Sequence, residues 1–343
     1  MAKQKRTGEK KTEGDNRPQR VVYLNGEYVP ETEAKISIFD SALMFGDMVF
    51  EMTRSYRRKQ FKLREHLERL YRSIKMLRIP VGMTIDEMEK LTYEVIERNR
   101  PAIADDDEDR VMINVSRGPL SLYWPIFEKV QPTVVISVFP LSWTMGAAGD
   151  LYDTGIHAVT PSQRAIPAHL LEPKMKNRSR LHYQMANLQV SLVADPNAWA
   201  LLLDPDGYVT EGTGSNFFLI RDGELLTPEP RNILRGITRA HTMHLARQKG
   251  IVVRECNIEP YDVINGDEAF VTSTPFMIIP CTKFNGIPIG TGQVGAMTRK
   301  LQDAWSEDIG YDVFAQAREL SQMGTSEASS GPSTYRFIAE DEK

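Results

Sequence analysis

The sequence predicts an α+β fold divided into two domains, and three observations predict it. The chain has 343 residues, more than one ordinary domain holds. Runs rich in β-branched residues and amphipathic helical runs mix along it without the regular β-α-β alternation of a doubly wound sheet. Periodicity also fails over residues 142–153, where Gly146, Gly149 and two alanines gather. This places a small N-terminal domain at 20–145, an interdomain loop at 146–155 and a larger domain at 156–320. The polar ends, 1–19 and 321–343, have the composition of disordered tails, although Tyr335 and Phe337 give the second an aromatic pair that could dock.

Composition narrows the function. Apolar residues make up 41% of the chain, enough for real cores, and the net charge is −4. No basic cluster of the kind that grips nucleic acid stands out. No apolar run approaches the roughly 20 residues that cross a bilayer. The first twenty residues lack the apolar stretch of a secretory signal, and Glu9, Glu13 and Asp15 interrupt their basic character. Cys256 and Cys281 make no metal-ligand spacing with histidines. They read as reduced thiols of a cytoplasmic protein that needs no metal.

Each element follows in order. VVYLNGEYV, at 21–29, reads as a hairpin around Asn25-Gly26, a pair that favours the positive φ of a type I′ turn. A strand is expected at 48–56. A helix follows, with Leu63, Leu67, Leu70, Tyr71, Ile74 and Leu77 on one face and Pro80 ending it. A second helix is expected at 84–98, with Thr84 and Asp86 in the capping zone. The acidic run 105–109 reads as a solvated loop. Strands are expected at 111–116 and 133–139. In the second half, strands are expected at 156–160, 198–203, 217–220, 251–254, 268–272 and 277–284. Helices are expected at 181–193, with Leu181, Met185, Leu188 and Leu192 on one face, at 238–249, closed by Gly250, and last at 295–305.

Four features could carry chemistry. Glu211 leads the small residues Gly212-Thr213-Gly214-Ser215, where a flat ligand could approach the backbone, although many plain turns look alike. Arg235-Gly236-Ile237-Thr238 opens a helix whose free N–H groups suit a phosphate, or merely an ordinary cap. Thr272-Ser273-Thr274 ends a strand with three hydroxyls, which can hold an anion or simply finish the strand. Lys174 and Lys176 precede a helix. A lysine becomes a Schiff-base nucleophile only when burial or nearby charge lowers its pKa, and the residues alone do not choose between these two.

Together these residues make a pattern. FGDMVFE (45–51), REHLERLYRS (64–73), KNRSRL (176–181), GYVTEGTGSN (207–216), LRGITR (234–239) and FVTST (270–274) stand in the order found in class IV aminotransferases. The chain resembles that family, the fold-type IV enzymes of pyridoxal 5′-phosphate (PLP), from about residue 22 to 304, and is most similar to its branched-chain members. The resemblance implies a small α/β N-terminal domain, a larger barrel-like C-terminal domain and a homodimer. It implies that Lys176 carries PLP as a Schiff base and moves the substrate Cα proton. Glu211 would face the pyridine nitrogen. Arg69 would grip the phosphate, helped by Ile237, Thr238, Ser273 and Thr274. The reaction implied is ping-pong, from an amino donor to a 2-oxo acid.

The substrate side departs from the branched-chain pattern. Thr274 is followed by Pro275, which has no N–H to offer a carboxylate. Arg180 stands four residues after the lysine, where an aromatic is common, as in the aminodeoxychorismate lyase pattern, and Tyr183 lies one turn on. Phe50 is expected to face the pocket. Tyr123 could wall it, or serve packing or a dimer contact. The favoured reading is a branched-chain type transaminase. The alternatives are an aminodeoxychorismate lyase-like enzyme and a D-amino acid or (R)-amine transaminase.

Overall fold

The computed structural model describes residues 18–323 except 128 and 147. The smaller unit is built on a six-stranded antiparallel sheet. It comprises β1 (Val21–Leu24), β2 (Glu27–Pro30), α1 (Ser41–Phe45), β3 (Met48–Tyr56), β4 (Lys59–Gln60), α2 (Leu63–Leu77), α3 (Ile85–Asn99), β5 (Asp109–Ser116) and β6 (Thr133–Pro140). The strand order is β2-β1-β6-β5-β3-β4. Asn25 and Gly26 both take positive φ, so the first hairpin turns as its sequence demands. Helix α2 buries Leu63, Leu67, Leu70 and Ile74 in one core with Val111, Ile113 and Val115 of β5. Helix α3 starts with a complete capping box between Thr84 and Glu87.

The larger unit holds α4 (Ser142–Met145), α5 (Leu151–Thr154), β7 (Ile156–Val159), α6 (Leu181–Val190), β8 (Ala198–Leu203), β9 (Val209–Gly212) and β10 (Asn216–Arg221). It continues with β11 (Glu224–Pro228), α7 (Ile237–Gln248), β12 (Val253–Cys256), α8 (Pro260–Ile264), β13 (Glu268–Ser273), β14 (Met277–Phe284), β15 (Ile287–Pro288), α9 (Ala296–Ile309) and α10 (Val313–Met323). Strands β10, β13, β14, β7, β8 and β9 run in that order around a barrel, which closes where Glu211 of β9 pairs with Asn216 of β10. Phe217, Phe218 and Phe270 are fully buried in the core of this unit.

Several expectations are corrected. The acidic run is not a solvated loop. Only Asp105 and Asp106 are exposed. Asp107 accepts hydrogen bonds from the N–H and hydroxyl of Ser142, Glu108 accepts from the N–H groups of Arg57 and Arg58, and Asp109 starts β5. The Asp107 and Glu108 carboxylates are buried because backbone and side-chain donors satisfy them, and among the described residues Asp109 accepts from Arg58 on one oxygen only. The stretch 142–153 holds two short helices, and Met145 and Tyr152 enter the large core. Helix α6 is turned around. Leu181, Met185 and Leu192 face solvent, and Ala186 and Val190 face the protein. Strands β9 and β11 were not expected, and β12 lies two residues later than the strand expected at 251–254. The helix expected to be last is followed by α10, which takes up Ser321–Met323 of the expected tail. Tyr335 and Phe337 lie outside the described residues.

Two backbone hydrogen bonds set up the site. The Phe50 N–H donates to the Lys176 carbonyl (2.9 Å), and the Arg178 N–H donates to the Met48 carbonyl (2.8 Å). The lysine segment is therefore stitched to the first half of β3, across the boundary between the units.

Candidate active site

Arg69, Lys176, Arg180, Glu211, Ile237, Thr238, Ser273 and Thr274 line one open cleft of about 850 Å³. It lies where the barrel closes and where the lysine segment meets β3.

The sequence could not separate Lys174 from Lys176, and the structure does. Lys174 pairs with Glu172 (2.5 Å) and donates to the Arg231 carbonyl. Lys176 has no carboxylate at ion-pair distance among the described residues. Its Nζ lies 4.7 Å from the Phe50 ring. Burial, with Arg69 and Arg180 nearby, brings its pKa down to about 7. An amine in that state is a nucleophile at neutral pH.

Glu211 faces the same cleft. Its carboxylate accepts from the Tyr183 hydroxyl (2.9 Å), the Asn216 amide (3.0 Å) and the Leu234 N–H (3.0 Å). Burial still lifts its pKa to about 7, against the pull of these donors. A carboxylate built in with three donors, yet short of a positive partner, is prepared for a cationic ligand. Asn216 also donates to the Leu234 carbonyl, so one side chain ties the closing strand to the loop before α7.

An anion end lies in the same cleft. The cap of α7 is Gly236, with no side-chain cap bond, so its first N–H groups are left for a ligand. Any Cβ on Gly236 would meet Asn216 Oδ1 at 2.0 Å. Only glycine permits that approach. Thr272 is buried, and its hydroxyl has no partner among the described residues. Arg69 lines the cleft while Glu51 holds its Nε (2.6 Å) and Nη2 (2.7 Å), and its Nη1 donates to the Arg235 carbonyl (3.0 Å). Glu51 also accepts from His66 Nδ1 (2.7 Å). Burial pushes the Glu51 pKa up, but Arg69 and His66 outweigh it and hold it at about 2. A cationic ring bearing a phosphate fits this donor set.

Three expected substrate residues lie off the cleft lining. Phe50 is buried behind Lys176, with Arg178 stacked on its ring at 3.7 Å. Tyr123, in the segment after β5, packs on Phe39, ring centroids 4.6 Å apart. Pro275 is buried too, and its carbonyl accepts from Arg54 (3.0 Å). Sequence reasoning named Thr272 among the strand-end hydroxyls but left it out of the phosphate ligands, and it missed Glu51 and Asn216 as site residues. Glu51 was readable in one respect: His66 and Arg69 are three apart on α2, and such a pair shares one helix face.

The family model "Amino-transferase class IV" matches residues 48–284. A putative branched-chain-amino-acid aminotransferase of Methanocaldococcus jannaschii is 35% identical, over 83% of this chain and 95% of its own. The solved branched-chain amino acid aminotransferase of Escherichia coli superposes with a TM-score of 0.75 at 28% identity, covering 84% of this chain and 94% of that one. The Thermobaculum terrenum branched-chain amino acid aminotransferase, solved in its PLP form, gives 0.73 at 26% identity, covering 89% and 97%.

Proposed function

The chain belongs to the class IV aminotransferases, and from that premise we propose that it moves the amino group of a branched-chain amino acid to a 2-oxo acid, as a cytoplasmic homodimer. It is a PLP-dependent transaminase. The observation that carries the reading is the meeting of Lys176 and Glu211 in one cleft, both with pKa values near 7.

When bound, PLP supplies the electron sink that lets the substrate Cα lose its proton. Lys176 would be the attachment point and would serve as base and acid at that Cα. Glu211 would face the ring nitrogen. Arg69, Ser273, Thr274, the Thr238 hydroxyl and the N–H groups of Ile237 and Thr238 would hold the phosphate. Phe50 backs Lys176 and limits where its Nζ can swing. The dimer reading is supported by exposed apolar side chains at Leu43, Phe45, Leu122, Trp124 and Leu181. Among the described residues no helix is long and apolar enough to cross a membrane.

The test is turnover. L-Leucine with 2-oxoglutarate is expected to yield glutamate, from a protein that sediments as a dimer. Release of pyruvate from aminodeoxychorismate, with no transfer from leucine, would overturn the reading.

The pH dependence of cofactor capture follows from Lys176. Only its neutral form attacks, and the neutral fraction grows about tenfold per pH unit until the pKa is passed. Capture of added PLP by the apoprotein, followed by visible absorbance, is expected to rise up to about pH 7 and then level off. A rate still climbing through pH 9 would mean the amine keeps an ordinary lysine pKa.

A further inference from the structure

Arg180 is the cation of the cleft whose role the reading above leaves open. It lines the cleft, and one Nη donates to the Thr213 carbonyl. Its guanidinium lies 4.9 Å from the Tyr183 ring and 5.5 Å from the Phe50 ring. Among the described residues no carboxylate pairs with it. Arg69, the other guanidinium of the cleft, is already bound by Glu51.

A guanidinium held by a carbonyl and two aromatic faces is placed but not neutralised. It is left with N–H groups in a fork that fits a carboxylate. Its position matters as much as its charge. It follows Lys176 by one short segment, and it bridges the Phe50 wall to the loop above Glu211. The anion end, at the start of α7 and at Thr272–Thr274, already has its own donors. Pro275, directly after Thr274, has no N–H to offer a second anion.

We propose that Arg180 is the specificity residue that binds the α-carboxylate of the amino donor and of the 2-oxo acid, so that the enzyme favours amino acids over amines lacking that group. This rests on the transaminase reading and deepens it. Binding also neutralises a cation beside Lys176, so the carboxylate arrives where it relieves repulsion.

The test uses the PLP-loaded enzyme and 4-methylvaleric acid, a leucine-like carboxylate that cannot be turned over. Binding is read from the visible spectrum of the cofactor. In Arg180→Met its Kd is expected to rise roughly 10- to 150-fold, the loss of a charge-assisted hydrogen-bonded pair. Arg180→Lys should recover part of this. PLP affinity should change less than about threefold in both variants, a small shift on the affinity scale. The KM for L-leucine should rise with the Kd, and that for 3-methylbutylamine should not. Equal binding of 4-methylvalerate to wild type and Arg180→Met overturns the proposal, as does a loss of PLP affinity that accounts for the whole effect. If the wild type binds the acid through Arg180 yet converts no leucine, the transaminase reading fails and the carboxylate site stands.

Discussion

Replacing Lys176 with methionine is expected to lower kcat by about a thousandfold or more. General acid–base catalysis alone is worth about 10² to 10⁴, and the covalent attachment is lost with it. Methionine matches the length of the stem and keeps its contact with Phe50, so the fold should be retained. The phosphate donors at Thr238, Ser273 and Thr274 are untouched, so the variant should still bind PLP reversibly. Two readouts separate this from a damaged fold. Borohydride should fix the cofactor irreversibly to the wild type and not to the variant. Lys174→Met should behave as wild type in both assays, because Lys174 is committed to Glu172 and the Arg231 carbonyl. Loss of labelling in Lys174→Met in place of Lys176→Met would move the chemistry to the other lysine.

That contrast also shows where the sequence stopped being informative. Strands β5 and β6 and helices α2 and α3 were readable because each shows one face to one core, and period and burial then coincide. Helix α6 misled for the same reason. Its apolar residues keep helical spacing, but Leu181 and Met185 are the exposed stripe, and periodicity marks an apolar face without saying what covers it. The acidic run misled because charge predicts exposure only where no donors converge, and Ser142 and the turn at Arg57-Arg58 supply them. In the site, Glu211, Arg69 and the start of α7 were legible as motifs. Their states were not. The pKa of Lys176 depends on Arg69 and Arg180, which come from separate segments, and the orphan hydroxyl of Thr272 is visible only in three dimensions. Phe50, Tyr123 and Pro275 were placed by resemblance, and the described chain sets all three off the cleft lining.

The second large effect is expected at Glu51, which need not touch any ligand. Its carboxylate is fully buried and binds both Arg69 and His66. Removing one partner of a buried ion pair costs about 3–5 kcal/mol, because the other charge stays behind uncompensated. Glu51→Ala should lose that much stability to chemical denaturation of the apoprotein. It should also weaken PLP binding, since Arg69 is no longer held on two of its nitrogens. Glu51→Gln keeps an acceptor oxygen and should lose less. The pH dependence identifies the cause. The folded pKa of Glu51 is about 2, below its ordinary 4.5, so its charge stabilises the fold fully above about pH 4.5 and progressively less as pH falls toward 2. The stability gap between wild type and Glu51→Gln should therefore be constant near neutrality and shrink below about pH 4.5. A gap that does not change with acid would mean that Glu51 contributes packing and not charge.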